Sequence, residues 1–133
     1  MFHITEKKIN IEQLINQARH PESGALVVFS GEARSHHDGK SVTSLEYEAQ
    51  TEMAEKSIIN ILDQAKKRWP LNFAAAVHRV GRVEISEPAV VVIVSAAHRK
   101  EAFEACQFII DAIKAETPIW KKEFFVDGNT KWQ

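Results

Sequence analysis

The sequence predicts an α+β fold, and three observations carry that reading. Thr51–Trp69 and Lys100–Ala115 repeat apolar residues at helical spacing. Ala89–Ala97 is nearly all apolar, the pattern of a central strand buried on both faces. Strands and helices alternate without a strict βαβ rhythm, so the expected architecture is a sandwich with helices packed on one side of a sheet.

Along the chain, Phe2–Thr5 reads as a short strand. Asn10 followed by Gln13 has the form of a capped helix start, and that helix is expected to run to about Arg19. His20–Gly24 is a turn. Ala25–Phe29 is β-branched and aromatic, hence a buried strand. Ser30–Lys40 carries Gly31, Arg34, His36, His37, Asp38 and Gly39 and reads as a polar, mobile loop. Val42–Ala49 partly alternates, with Leu45, Tyr47 and Ala49 on one face and Glu46 and Glu48 on the other. The first long helix, with Ala54, Ile58, Ile61, Leu62 and Ala65 in its stripe, stops at Pro70. Phe73–Val80 and Val83–Ile85 are extended. The second long helix places Ala102, Cys106, Ile109, Ile110 and Ile113 on its core stripe. Thr117 and Pro118 end it, Ile119–Val126 returns as a strand, and Asp127–Asn129 turns the chain toward Trp132.

The bulk properties bound the function. A chain of 133 residues suffices for one domain with a genuine core, and residues 1–133 are expected to form it. The net charge of −1 supplies no global field toward nucleic acid or membrane, so any anion site must be local. A basic aromatic stripe is also missing, which argues against a nucleic-acid partner. The single cysteine, Cys106, excludes an internal disulfide and fits a reducing compartment. The first residues lack the pattern of a signal peptide, and no apolar run approaches the ~20 residues of a membrane helix. A cytoplasmic protein without a membrane partner is the simplest expectation.

Several residues are candidates for chemistry. His98 and Arg99 stand between a strand end and a helix start, where backbone N–H groups and the dipole favour an anion. Arg99 adds a planar fork for phosphate or carboxylate. The ordinary alternative is that Arg99 merely solvates a turn while His98 packs. Lys114 lies in the last turn of its helix, where the dipole alone favours a cation by roughly 0.3–1 kcal/mol. Lys121 and Lys122 are strand neighbours and point to opposite faces, Lys121 with Ile119, Glu123 and Phe125, and Lys122 with Trp120 and Phe124. At most one of the two faces a given pocket directly. Arg34 follows a core strand. Adjacent His36 and His37 without a spaced third ligand are weak evidence for a metal, and no metal site is expected. His78 sits in a strand and reads as core or edge. Cys106 reads as a small buried residue rather than a sulfur source. Trp120 could wall a pocket. P-loop, dinucleotide-binding, nucleophile-elbow and CxxC patterns are missing, and no resident cofactor is expected.

The segments Phe29–Arg34, Leu45–Ala49, Met53–Glu55, His78–Gly81, Ala97–Cys106, Ile110–Lys114 and Pro118–Glu123 together resemble the large, catalytic subunit of molybdopterin synthase. Each segment is modest alone; their joint order and spacing over nearly the whole chain are specific. Ala33 stands where Val is more usual, Gln50 where an aromatic is common, and Pro88 precedes Ala89 in the lead-in to a strand. The resemblance implies an α/β hammerhead-type fold with an additional antiparallel β subdomain. It implies conversion of cyclic pyranopterin monophosphate to molybdopterin, with two dithiolene sulfurs added and the cyclic phosphate opened. The sulfur would come from the C-terminal Gly-Gly thiocarboxylate of a small ubiquitin-like subunit, one at each end of a dimer of large subunits.

Carried over residue by residue, the resemblance makes Arg34, His98 and Arg99 substrate anchors, Lys114 the most critical lysine and Lys121 the second. Lys122 and Glu123 fall in the same substrate-binding segment. Lys114 would act as acid/base and electrostatic catalyst at the thiocarboxylate and the reacting carbons, and Lys121 and Arg99 would hold phosphate and developing charge. His98 could shuttle a proton. Two other classes compete with the enzyme: a non-catalytic phosphopterin-binding module, and a scaffold that only receives the carrier's tail. The complete cationic set favours the enzyme, since a pure binder has no obvious need for all of it.

Overall fold

The computed structural model describes residues 2–132. In chain order its elements are β1 (Ile4–Thr5), α1 (Ile11–Ala18), β2 (Ala25–Glu32), β3 (His36–His37), β4 (Lys40–Ala49), α2 (Thr51–Arg68), β5 (Leu71–Arg79), β6 (Gly81–Glu84), β7 (Pro88–Ala96), α3 (Arg99–Glu116), β8 (Ile119–Phe125) and β9 (Thr130–Trp132). They form two sheets. The first has the order β1-β5-β7-β2, with β1 parallel to β5 and the other pairs antiparallel. The second is built around β4, which pairs with β8 along one edge and with β6 and β3 along the other, while β9 extends β8.

β7 is the spine of the first sheet, and every one of its residues is buried. Its side chains alternate between faces, and both sets are apolar, so both faces need cover. On one face Val90, Val92 and Val94 meet the stripes of α2 and α3, including Ile58, Ile61, Ile109 and Ile113. On the other, Val91 and Ile93 join Ala75 and Val77 beneath Leu14 and Ala18 of α1. The helices therefore cover both sides of the sheet, not one as the sequence pattern implied. The short α1 supplies the second layer because Val91 and Ile93 of β7 would otherwise face water. Its start is capped as expected, with the Asn10 side chain accepting from the Gln13 N–H at 3.1 Å.

Two further expectations change. The strand at Ala25–Phe29 extends to Glu32 and is half-buried, because it is an edge strand that pairs with β7 alone among the described residues. The Ser30–Lys40 segment is not simply a loop. His36 and His37 pair with Ser41 and Lys40 across a tight turn in which Asp38 has φ 52° and Gly39 φ 76°. Asp-Gly is the preferred dipeptide for such a hairpin, since both positions must adopt positive φ.

Gln50, which stands where the resemblance led one to expect an aromatic, caps α2 by accepting from the Met53 N–H at 2.9 Å. A third core, with Ala33, Val42, Leu45, Val83, Ala89 and Phe125, lies beneath the second sheet.

β1 is held in place by one side chain of α2. The Glu55 carboxylate accepts from the His3 and Ile4 backbone N–H groups, each at 2.8 Å to Oε1. Glu55→Ala strands both donors, and a lost buried partner of this kind costs about 1–3 kcal/mol. Urea denaturation should show that loss, with faster amide exchange at Ile4 and Thr5. An unchanged midpoint would remove the anchoring role.

Candidate active site

Where the two sheets meet the C-terminal end of α3 there is a cavity of about 470 Å³. This lies in the range of small-molecule sites. The first sheet contributes Gly31, Glu32, His78 and Val90; the second contributes Leu45, Tyr47, Lys121 and Glu123; α3 contributes Ile110, Ile113 and Lys114. Arg34 and His36 close one side from the segment that leads into the β3–β4 hairpin. Gly31 has a local reason to be glycine, because a Cβ there would come within 2.8 Å of Val90 Cγ1. The β2 bulge at Gly31/Glu32 then bends the strand out of register with β7, so that the following residues leave the first sheet at the cavity edge.

Of the residues singled out in the sequence, Arg34, Lys114, Lys121 and Glu123 are brought together here. The strand alternation argument separates the lysine pair correctly. Lys121 is half-buried in the cavity wall, whereas the Lys122 ammonium lies on the other face, 5.3 Å from the Phe124 ring centroid and 5.4 Å from that of Trp132. Trp120 shares that outer side and is half exposed, so it does not wall the cavity.

His98 and Arg99 are also apart from it. They are exposed at the opposite end of α3, with His98 as the N-cap residue. From Arg99 to Lys114 is about 22 Å of helix at ~1.5 Å per residue. The strand gives a consistent ruler: from Val90 in the cavity wall to His98 is about 26 Å at ~3.3 Å per residue. Within one chain, neither side chain can reach a substrate held by Lys114.

Three cations, Arg34, Lys114 and Lys121, thus face two carboxylates, Glu32 and Glu123. Glu123 is buried, and its Oε1 is bonded to His37 Nδ1 from the hairpin. Burial, and then the Glu123 charge, push the Tyr47 hydroxyl up to about 12, so it stays a neutral donor near pH 7. The balance leaves a net positive, partly apolar pocket suited to a planar anion.

Sequence reasoning passed over Tyr47 and His78 as site residues. The Tyr47 and His78 rings meet edge to face, with centroids 4.8 Å apart. His78 Nδ1 lies 2.8 Å from the Arg79 carbonyl and donates to it, which leaves Nε2 as the acceptor of the neutral ring. Burial pulls the imidazole down from 6.5 to about 4, the Arg79 contact opposes this, and the Lys114 charge adds to it. A histidine directly after the apolar run Phe73–Val77 was the available signal. Cys106 behaves as expected of a structural residue: burial pushes its thiol up to about 11, against a contact with the Phe29 backbone.

The His78 shift has a consequence for stability. Between 6.5 and about 4 the unfolded chain binds a proton at this site that the folded chain refuses. Stability from this group is therefore complete above 6.5 and is lost as pH falls toward 4. Wild type should lose on the order of 3 kcal/mol more than His78→Gln over that interval, as read by denaturant melts at each pH. Parallel curves for the two proteins would mean that His78 does not fold neutral.

Among the described residues no cluster of three His, Cys, Asp or Glu side chains could hold a metal, and no helix is long and apolar enough to cross a membrane.

Comparison with known proteins accords with this geometry. The family model described as "MoaE protein" matches residues 4–116. The molybdopterin synthase catalytic subunit of Thermoplasma volcanium is 50% identical over 129 residues, covering 97% of this chain and 94% of that one. The crystal structure of molybdopterin synthase from Staphylococcus aureus superimposes with a TM-score of 0.93 at 41% identity, over 99% of this chain and 96% of the other. A complex of subunits 1 and 2 of molybdopterin-converting factor from Helicobacter pylori includes a chain of the same fold, with TM-score 0.79, 20% identity and coverage of 97% and 87%. On the family match and the extent of this identity, the chain belongs to the MoaE protein family.

Proposed function

We propose that the chain is the catalytic subunit of a molybdopterin synthase, converting cyclic pyranopterin monophosphate to molybdopterin. The observation that carries this reading is the convergence of Arg34, Lys114 and Lys121 on one small-molecule-sized cavity. The sulfur donor is the C-terminal thiocarboxylate of a small ubiquitin-like subunit, whose narrow Gly-Gly tail can enter such a cavity. Each transfer forms a C–S bond to a pterin side-chain carbon in place of a C–O bond there, one of them the bond to the cyclic phosphate, which opens, and breaks the donor's C–S bond. Water supplies the oxygen that returns the donor carbon to carboxylate.

The roles follow from position. Lys114, exposed and on a flexible stem, meets the incoming thiocarboxylate and stabilises the negative charge that develops on attack. Lys121, half-buried beside Tyr47 in the β4–β8 register, is more firmly held and suits the phosphate, with Arg34 as its bidentate partner. Glu123 acts from behind, binding His37 and so tying the hairpin to the cavity wall. Lys122 has no part in this set.

His98 and Arg99 belong to the reading only if they come from another molecule. A second copy of the chain can supply them, placing the N-terminal end of its α3 against this cavity. Phe103, 60% exposed and one turn along α3 from Arg99, offers apolar surface for that contact. A dimer of large subunits, with a small subunit on each, is the assembly this implies. A reducing, cytoplasmic setting suits a chain with one buried thiol.

The test is reconstitution of purified chain, cyclic pyranopterin monophosphate and thiocarboxylated small subunit, with product read as the oxidised fluorescent pterin. Product formation supports the enzyme. Binding of the small subunit or the pterin without product would leave only the scaffold or binding-module reading.

A further inference from the structure

We propose that His78 is a positioning residue of the cavity, an uncharged imidazole whose Nε2 accepts a hydrogen bond from the Lys114 ammonium and fixes it toward the substrate. The inference rests on the catalytic reading of Lys114 above and adds a group to it.

The geometry is specific. His78 is buried in the cavity wall, and its backbone is pinned by the bond from its N–H to the His3 carbonyl at 2.7 Å. Its ring is held from two directions, by the Arg79 carbonyl on Nδ1 and by the Tyr47 ring edge to face. With Nδ1 committed as a donor, Nε2 carries a lone pair that has no competing proton. Lys114 lines the same cavity from α3, near enough for its charge to act on the imidazole.

Lys114 needs such an acceptor. Its side chain is exposed, and a free lysine carries roughly 2 kcal/mol of rotamer entropy that must be lost before it can act. The charged groups around His78 are Glu32 and Arg34 after the β2 bulge, Lys114 on α3, and Lys121 and Glu123 on β8, with Tyr47 against the ring. A carboxylate holding Lys114 would cancel the charge that an anionic substrate requires. Glu123 is already engaged by His37, and Glu32 by the Ser30 hydroxyl at 3.1 Å. A neutral imidazole orients the ammonium and leaves its charge available. A protonated imidazole could not do this, and burial keeps the ring neutral near pH 7.

Two substitutions separate positioning from packing. His78→Phe keeps a ring against Tyr47 but removes the acceptor; His78→Gln keeps an uncharged acceptor without the ring. His78→Phe should lower kcat by roughly 10- to 100-fold with KM little changed, the signature of a misplaced group that acts in the transition state. His78→Gln should recover most of that loss. Nitrogen-15 spectra of the imidazole should show Nε2 unprotonated through about pH 5, and its resonance should move in Lys114→Ala. The proposal is overturned if His78→Phe turns over within about twofold of wild type, or if His78→Gln is as impaired as His78→Phe. A cationic ring at about pH 6 would overturn it too. If wild type itself gives no product, the failure lies with the enzymatic reading. The Nε2 response to Lys114→Ala then decides the contact alone.

Discussion

Lys114→Ala is expected to remove dithiolene formation while leaving a folded protein that still binds the small subunit. Loss of one preorganised charge at a developing anion costs about 100- to 1,000-fold in kcat, and a group that also transfers protons costs more. The fold should survive because Lys114 is exposed and sits in the last turn of α3. Its favourable dipole interaction is worth only about 0.3–1 kcal/mol. Product fluorescence and a thermal melt on the same preparation check both halves. Turnover within about tenfold of wild type, well short of that loss, would sink the assignment.

Mixing two inactive variants should restore activity. If the cavity of one copy takes Arg99 from another, Lys114→Ala and Arg99→Ala damage different components of the same site. Either variant alone is inactive. In a mixed dimer, one cavity has its own Lys114 and receives Arg99 from the Lys114→Ala chain, while the other cavity lacks both. Random exchange makes half the dimers mixed with one complete site of two, so about one quarter of wild-type turnover should return. No recovery after demonstrated exchange would mean that Arg99 acts within its own chain or not at all. The ~22 Å of helix between Arg99 and Lys114 makes the first of these impossible without unfolding α3.

How much of this could be read in advance depended on whether the physics was local. The stripes of α2 and α3, the double-sided burial of β7 and the Asn10 cap are set by residue spacing and were legible. The opposite facing of Lys121 and Lys122 is a property of any strand and carried over directly. The placement of α1 was not legible, because amphipathicity shows that a helix has a buried face but not which sheet face covers it. The half-exposed β2 failed for a related reason: an apolar run looks the same at the centre and at the edge of a sheet. The β3–β4 hairpin was a misread signal, since Asp38-Gly39 was present and the polar residues around it were given more weight. Tyr47 and His78 were missed because their value depends on long-range register. Tyr47 faces Lys121 across β4 and β8, and His78 reaches the cavity only when β5 lies beside β7. His98 and Arg99 were named by the strand-to-helix junction and by the resemblance, and neither signal says which copy of the chain they serve; within one chain α3 holds them at the end away from Lys114.

The position of the cavity has a consequence for how such a chain can change over time. Its polar walls lie where two separate apolar interiors come together, one beneath α2 and α3 and one beneath the second sheet. Exchanging Glu32, His36 or Lys121 alters the recognition surface without opening a void among the valines and isoleucines that hold the sheets. Most random substitutions endanger a protein by eroding a narrow stability margin. Here that margin is held in one set of residues and the recognition chemistry in another. Lineages can therefore explore altered substrates or carrier tails through single replacements that a cell would tolerate.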